Sequence, residues 1–356
     1  MVDLSKLFDV GRNLYAYHSY KRNDGLASIP LRYFFELTYR CNLQCPYCYV
    51  GCERKKDELS TEEWKKVVEQ IPWYSFVTLV GGEPLIRTDF IDILMMTAQK
   101  TKGKLNVVSN GVLINDEIID AFIKSKMMLL SVSLDGYGTN HDKNRNKEGI
   151  FEKINNNFEK MNSRSKRPMI DIKTIVLENN LDDIVKLYKY CNEMKFNFLS
   201  ISFLRNNNLK QNAVLFDRFV PEFNENYPIQ KYFDMEHFKE VYNELMSLKK
   251  KSNVQIRFSP KFEYSKNPLN KIEEFFNTPS EKPIQDIYKP CMYPFSNMMI
   301  NPQGDIYPCL SEKVGNIREM SIKEAYNQPN FRCFRKNLKA SKLFGACQMC
   351  CELEVK

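Results

Sequence analysis

The stretch Cys41-Asn42-Leu43-Gln44-Cys45-Pro46-Tyr47-Cys48 follows directly on the apolar, aromatic run Tyr33-Phe34-Phe35-Glu36-Leu37-Thr38. That run reads as a β-strand, so the three cysteines occupy the loop at its carboxyl end. Thiolate is a soft ligand, suited to iron–sulfur clusters and to zinc. A structural zinc site takes four ligands, usually from CxxC pairs, and the spacing here is not of that kind. Three thiolates on a four-iron cluster leave one iron without a protein ligand, and chemistry can occur there. Cys52, the alternative fourth ligand, reads as a bystander.

Working outward, strand-like runs recur at Tyr33–Thr38, Phe76–Val80, Leu105–Ser109, Leu129–Leu134, Ile170–Val176 and Phe198–Phe203. Amphipathic stretches lie between them. The first is opened by Ser60 with Glu63 three residues on, a capping box, and runs toward Gln70. Others cover Asp89–Lys100, Asp116–Lys124, Ile150–Asn162 and Leu181–Met194. Strands alternating with such helices give parallel βαβ units. The expected fold is α/β: a partial (β/α)6 barrel of the triosephosphate-isomerase kind, with ligands at the carboxyl ends of the strands.

From Arg205 the rhythm breaks. Residues 205–234 read as irregular, Met235–Lys251 as helical, and 252–289 as mixed and proline-punctuated. The segment from Cys291 to Cys351 is a second cysteine region. Its hairpin pairs Asn297–Asn301 with Asp305–Cys309 around Pro302-Gln303-Gly304. The chain thus divides into an arm (1–32), a core (33–204), a connecting, substrate-facing region (205–290) and a small C-terminal α+β domain (291–356).

Composition narrows the class. The chain has 356 residues, 43% hydrophobic and 13% aromatic, which is globular and long enough for about two domains. Its net charge of +8 is spread out, in short patches such as Lys249-Lys250-Lys251, and argues for solvated faces rather than nucleic-acid binding. No secretory signal opens the chain and no run of 18 apolar residues spans a membrane. Eleven cysteines without an export signal point to metal ligation in a reducing, cytoplasmic setting rather than to disulfides.

Three polar motifs end the next strands. Gly81-Gly82-Glu83-Pro84 follows the second; two glycines admit close backbone approach, and a carboxylate there can accept from an ammonium. Ser109-Asn110-Gly111 ends the third strand, and Ser131-Val132-Ser133-Leu134-Asp135-Gly136 the fourth. A lone Gly-Gly is usually just a turn, and the latter two motifs read equally as ordinary helix caps and turns. His141 is a lone histidine and reads as a surface or satisfied one at least as readily as a catalytic one.

CxxxCx(aromatic)C behind a first strand resembles the radical S-adenosylmethionine (SAM) superfamily. The resemblance implies a 4Fe-4S cluster on Cys41, Cys45 and Cys48, with SAM chelating the open iron through its amino and carboxylate groups. It implies reductive cleavage to a 5′-deoxyadenosyl radical, which abstracts a substrate hydrogen. Tyr47 would pack near the adenine, Gly81, Gly82 and Glu83 would meet the amino group, and Ser109, Asn110, Ser133 and Asp135 the methionine or ribose. Pro84-Leu85-Ile86-Arg87, and then His141-Asp142, Arg145, Gly149 and Phe151, continue the likeness. Val80 departs from it, standing where relatives often carry a small polar residue.

In the C-terminal region, one cysteine before a hairpin, one at its end and a distant CxxC make a four-thiolate site, for which zinc is a serious alternative. Beside such a core the pattern is similar to the SPASM or "twitch" extension in its one-cluster form. That implies an auxiliary 4Fe-4S cluster on Cys291, Cys309, Cys347 and Cys350. Cys351 is the alternative to Cys350, Cys333 could substitute, and Cys191 reads as core. The expected activity is a radical SAM oxidoreductase acting on a small polar metabolite or carbohydrate-type intermediate. The auxiliary cluster would accept an electron, and reduced flavodoxin or ferredoxin would donate one. The alternative is a peptide or protein modifier of the maturase kind. A short lead-in with no leader-binding domain speaks against the alternative unless the partner is separate. The non-enzyme alternative is a structural or electron-transfer iron–sulfur or zinc protein.

Overall fold

The computed structural model describes residues 4–48, 57–203, 233–277, 284–309, 313–344, 347, 350 and 352–356. Helix α1 (Leu4–Tyr20) leads into β1 (Arg32–Glu36), and a regular alternation begins. It runs α2 (Thr61–Gln70), β2 (Phe76–Val80), α3 (Phe90–Thr101), β3 (Leu105–Ser109), α4 (Asp116–Ser125) and β4 (Leu129–Ser133). Two helices follow, α5 (Thr139–Asn144) and α6 (Ile150–Asn162), then β5 (Met169–Val176), α7 (Leu181–Glu193) and β6 (Phe198–Phe203). All six expected strands are present.

Local chemistry explains the boundaries. At α2 the Ser60 hydroxyl accepts from the Glu63 amide (3.3 Å) while the Glu63 carboxylate accepts from the Ser60 amide (2.8 Å), the full capping box. At α4 the Asn115 side chain accepts from the Ile118 amide (2.9 Å). Strand parity separates two faces. Phe35 packs on Trp64 of α2 with ring centroids 5.2 Å apart, so this parity lies under the helices and the other, with Phe34 and Glu36, faces the barrel lumen.

The structure adds one parallel strand and one parallel pairing that the sequence did not reveal. After α8 (Met235–Lys249), β7 (Gln255–Ser259) pairs with β6, so the mixed region 252–289 contributes a barrel strand. After α9 (Pro268–Asn277), β8 (Asn297–Ile300) pairs parallel with β1 on its outer side. The expected hairpin forms between β8 and β9 (Asp305–Tyr307), and β10 (Gly315–Asn316) completes the edge. The sheet of the described residues runs β10-β9-β8-β1-β2-β3-β4-β5-β6-β7. No pairing joins β7 to β8 within it, so the barrel is open, and the C-terminal cysteine region continues the core sheet.

Two further helices, α10 (Ile322–Asn327) and α11 (Pro329–Ser341), back the hairpin. The N-terminal arm packs on this end of the molecule. Arg12 and Arg32 both meet Glu352 at 3.5 Å, Asn13 meets Glu354 at 2.9 Å, and Tyr20 stacks edge-on against Phe295. Arg335, fully buried, lies between the rings of Phe331 (3.9 Å) and Tyr326 (4.1 Å), and its Nε donates to the Pro294 carbonyl.

Candidate functional site

The cysteine loop is tied at its base by the turn after β2. The Gly82 amide donates to the Thr38 carbonyl (2.7 Å) and the Glu83 amide to the Arg40 carbonyl (2.9 Å). A Cβ on Gly81 would lie 2.3 Å from the Thr38 oxygen, and one on Gly82 2.4 Å from the Arg40 oxygen. Gly81 also holds φ +148°, outside the range an L side chain favours. The two glycines are therefore required for contact with the loop's own backbone. Arg87 completes the base: its guanidinium donates to the Leu37 and Leu59 carbonyls (3.0 Å each) and pairs with Asp89 at 2.7 Å. Thr38 donates to Glu58.

Glu83 differs from the sequence expectation. Its carboxylate is fully buried and accepts from the Leu85 amide (3.1 Å), the Asn110 amide (2.6 Å) and the Ser109 hydroxyl (2.9 Å). It clamps the end of β2 to the end of β3 and does not face open space. Burial pushes its pKa up to about 7 against the pull of those donors. Ser109 is likewise consumed, its hydroxyl also accepting from the Gly111 amide (2.9 Å). Ser133, at the end of β4, is partly exposed toward the lumen, as is the Gly81–Gly82 backbone.

Tyr47 and Asp135 come together. The Tyr47 hydroxyl donates to Asp135 at 2.6 Å, which ties the phenol to the end of β4. Asp135, with no exposed surface, also accepts from the Ile175 amide (2.8 Å) and pairs with Arg145 at 2.5 Å. Arg145 is the residue that motif reading left outside the site. Its other nitrogen points at the Cys45 sulfur at 3.8 Å, and its Nε is buried without a partner. Burial would lower its pKa, yet Asp135, Tyr47 and Cys45 together hold it above its usual value. The signal available in sequence was its place ten residues beyond Asp135, across α5.

His141 is a buried structural residue. Its Nδ1 accepts from the Asp135 amide (3.0 Å), and burial, then the nearby Arg145 charge, lower its pKa to about 4. The ring is neutral near pH 7. Cys191 is fully buried in the core, as the sequence implied.

The thiols fit a cluster by their donors. Cys41 receives the Leu43 amide (3.4 Å) and the Asn110 side chain (3.8 Å), Cys45 receives Arg145, and Cys41 and Cys48 open to solvent. Donors aimed at sulfur stabilise a cluster-bound thiolate. Burial raises both the Cys41 and Cys45 pKa values in the metal-free chain, so ligation must displace their protons. Asn110 further holds the loop through Asn42 at 2.8 Å.

At the other end, Cys291, Cys309 and Cys347 pack against one apolar group, Phe334, Leu338 and Phe344. Cys347 is pushed well up, by burial and then by Cys291 and Cys309, while burial takes Cys291 to about 11. The Tyr293 amide donates to the Cys291 sulfur at 3.4 Å. Cys350 follows by a turn, its amide on the Cys347 carbonyl (2.9 Å). Cys333 sits exposed on α11 beside Asn337, turned away from this group. Cys52 and Cys351 lie outside the described residues. Among the described residues, no three His, Cys, Asp or Glu side chains are gathered to grip a single metal ion.

Comparison with known proteins accounts for both regions. The radical SAM superfamily model matches residues 35–191, and the SPASM iron-sulfur cluster-binding domain model matches 291–351. The sporulation killing factor maturation protein SkfB of Bacillus subtilis is 30% identical over 166 residues, 46% of this chain and 40% of that protein. The AdoMet-dependent heme synthase of Methanosarcina barkeri is 25% identical over 91% of this chain and 89% of its own. Among solved structures, SuiB of Streptococcus suis superposes with TM-score 0.65 at 17% identity, covering 99% of this chain and 78% of that one. No helix of the described residues is long and apolar enough to cross a membrane. The chain is an enzyme of the radical SAM superfamily, built to carry SAM, a 4Fe-4S cluster and, in a C-terminal SPASM domain, auxiliary iron–sulfur chemistry.

Proposed function

We propose that this enzyme modifies a peptide, abstracting hydrogen from it between the two cysteine sites. One observation carries the reading. The match to SuiB extends over essentially the whole chain, and SuiB has also been solved bound to its precursor peptide SuiA. The similarity to a killing-factor maturation protein, over part of its length, agrees. The earlier expectation of a small polar or carbohydrate-type substrate gives way to the peptide alternative.

Cys41, Cys45 and Cys48 would hold the SAM-binding cluster, and Cys291, Cys309, Cys347 and Cys350 the auxiliary one. The turn Gly81–Glu83, Ser109, Asn110, Ser133 and Asp135 would frame SAM. Of these, the Gly81–Gly82 backbone and Ser133 would touch it, while Glu83, Ser109, Asp135 and Tyr47 fix the frame. Cluster and SAM together supply reductive cleavage and hydrogen-atom abstraction. The chain's own residues hold the thiols in register, keep His141 neutral, and leave the lumen open for substrate. Reduced flavodoxin or ferredoxin would supply the electron.

The test is anaerobic reconstitution with a short precursor peptide encoded beside the gene. 5′-Deoxyadenosine formation that depends on the peptide, and a product lighter by hydrogen, support the reading. SAM cleavage indifferent to any such peptide removes it. A second reading rests on the heme synthase match, which spans 91% of this chain: a small-molecule substrate. Turnover of an iron porphyrin and not of peptide would establish that one.

A further inference from the structure

The lumen is not uniformly lined. On β5, β6 and β7 the helix-facing positions are buried, but Lys173, Ile175, Ser202, Gln255, Arg257 and Ser259, all of lumen parity, are partly exposed. An open polar groove therefore runs along this side of the barrel. Register places Lys173 opposite Ser200, and Ser200 opposite Arg257. Two strand spacings, about 10 Å, separate the two cationic residues at the backbone. Side chains of their length can reach across that gap, with the small Ser200 between them.

Among the described residues the two cations carry a single ion pair between them, that of Lys173 with Asp171. Arg257 lies flat on the Phe198 ring, 3.4 Å from its centroid, and makes no ion pair among the described residues. Its Nε is buried and has no partner. The neighbouring Glu263 accepts from the Phe258 amide at 3.0 Å and feels the Arg257 charge, but is not ion-paired with it among the described residues. Among the described residues Lys173 pairs with Asp171 at 3.3 Å, and the Asp171 carboxylate also accepts from the Ser200 hydroxyl (2.7 Å) and the Ser131 hydroxyl (3.3 Å). The Lys173 side chain is 41% exposed. The contact with Phe198 restrains the guanidinium, and Arg257 remains partly exposed on the lumen side with donors left for a ligand.

We infer that Lys173 and Arg257 form a carboxylate subsite in the lumen, which holds an acidic group of the peptide and so sets which residue faces the radical. The inference rests on the peptide reading above for its ligand. The carboxylate comes either from an Asp or Glu side chain or from the peptide's C-terminus. A charge-assisted contact of this kind is lost when the carboxylate becomes an amide.

The test is equilibrium dialysis under nitrogen with the full chain, both clusters and SAM loaded. The probes are acetyl-Ala-Glu-Ala-amide, its Gln counterpart, and acetyl-Ala-Ala-Ala with a free C-terminus. The Glu probe binding about tenfold or more tightly than the Gln probe supports a side-chain carboxylate. The free-terminus probe alone gaining that factor supports the chain end. The preference should vanish in Arg257→Gln and in the half-exposed Lys173→Gln, and partly return in Arg257→Lys. Equal binding of all three probes, or a preference that survives both Gln substitutions, overturns the inference. Should plain propionate bind in an Arg257-dependent way while no peptide does, the subsite stands and the peptide reading fails.

Discussion

Arg145 joins Asp135 at 2.5 Å while its second nitrogen reaches the Cys45 sulfur at 3.8 Å. One guanidinium thus connects the end of β4 to the middle cysteine of the loop, in a buried setting. Removing either partner leaves a buried charge. Arg145→Gln should lower the unfolding free energy of the metal-free chain by about 3–5 kcal/mol, measured by urea denaturation. The double variant Arg145→Gln with Asp135→Asn should cost less than the two single changes summed. A strictly additive result would show that the pair does not act as a unit.

Gly82→Ala tests the loop's seat. The new methyl would stand 2.4 Å from the Arg40 oxygen and 2.8 Å from the Tyr39 oxygen, both backbone atoms that cannot swing aside. Cys41 follows directly on Arg40, so the loop must shift. After anaerobic reconstitution, iron per chain should fall by about half, the share of one of two four-iron clusters. A normal iron count would show that the loop tolerates the displacement.

Glu36 carries a pH dependence. It is fully buried, accepts from the Tyr39 hydroxyl at 3.1 Å, and burial lifts its pKa from 4.5 to about 7. The native state therefore keeps a proton that the unfolded chain releases above about pH 4.5. Stability from this group is highest below that pH and falls as pH rises to about 7, by about 3 kcal/mol at most. Glu36→Gln keeps an acceptor for Tyr39 and should flatten this part of the profile between pH 5 and 7.5. Unchanged slope in urea titrations at those pH values would contradict it.

The cysteines separate by role. Cys45→Ala should abolish SAM cleavage, and the pair Cys291→Ala with Cys309→Ala should remove about half of the iron while leaving the N-terminal cluster. Cys333→Ser, exposed on α11, should change neither iron content nor activity. Iron lost on changing Cys333 would reassign the auxiliary ligands.

Much of this was legible in the sequence because it was local. The capping box at Ser60 and Glu63, the alternating strands and the cysteine spacing each occupy a handful of neighbouring residues. What escaped depends on contacts distant in sequence. β7 alternates polar and apolar residues over only five positions in a proline-punctuated stretch, and its place in the barrel shows only once β6 is there to pair with it. β8 read correctly as half of a hairpin, yet nothing in Asn297–Ile300 announces that its other edge binds β1. Glu83 carried the right motif with an unexpected orientation: three donors from β3 and the turn turn the carboxylate inward, and they lie up to 27 residues away. Arg145 stood in the extended motif without a role, since its meaning comes from two partners 10 and 100 residues behind it.

The pairing of β8 with β1 has one more consequence. A parallel strand at a sheet's border displays a ladder of free amide and carbonyl groups, an adhesive template for other chains. Here Arg32 to Phe35 are covered on that side by Asn297 to Ile300. A chain cut before Cys291 would lose more than a cluster site: it would bare the flank of its first barrel strand, the one that leads into Cys41, and should self-associate. The C-terminal extension is thus also a chaperoning cover for the strand on which the radical chemistry depends.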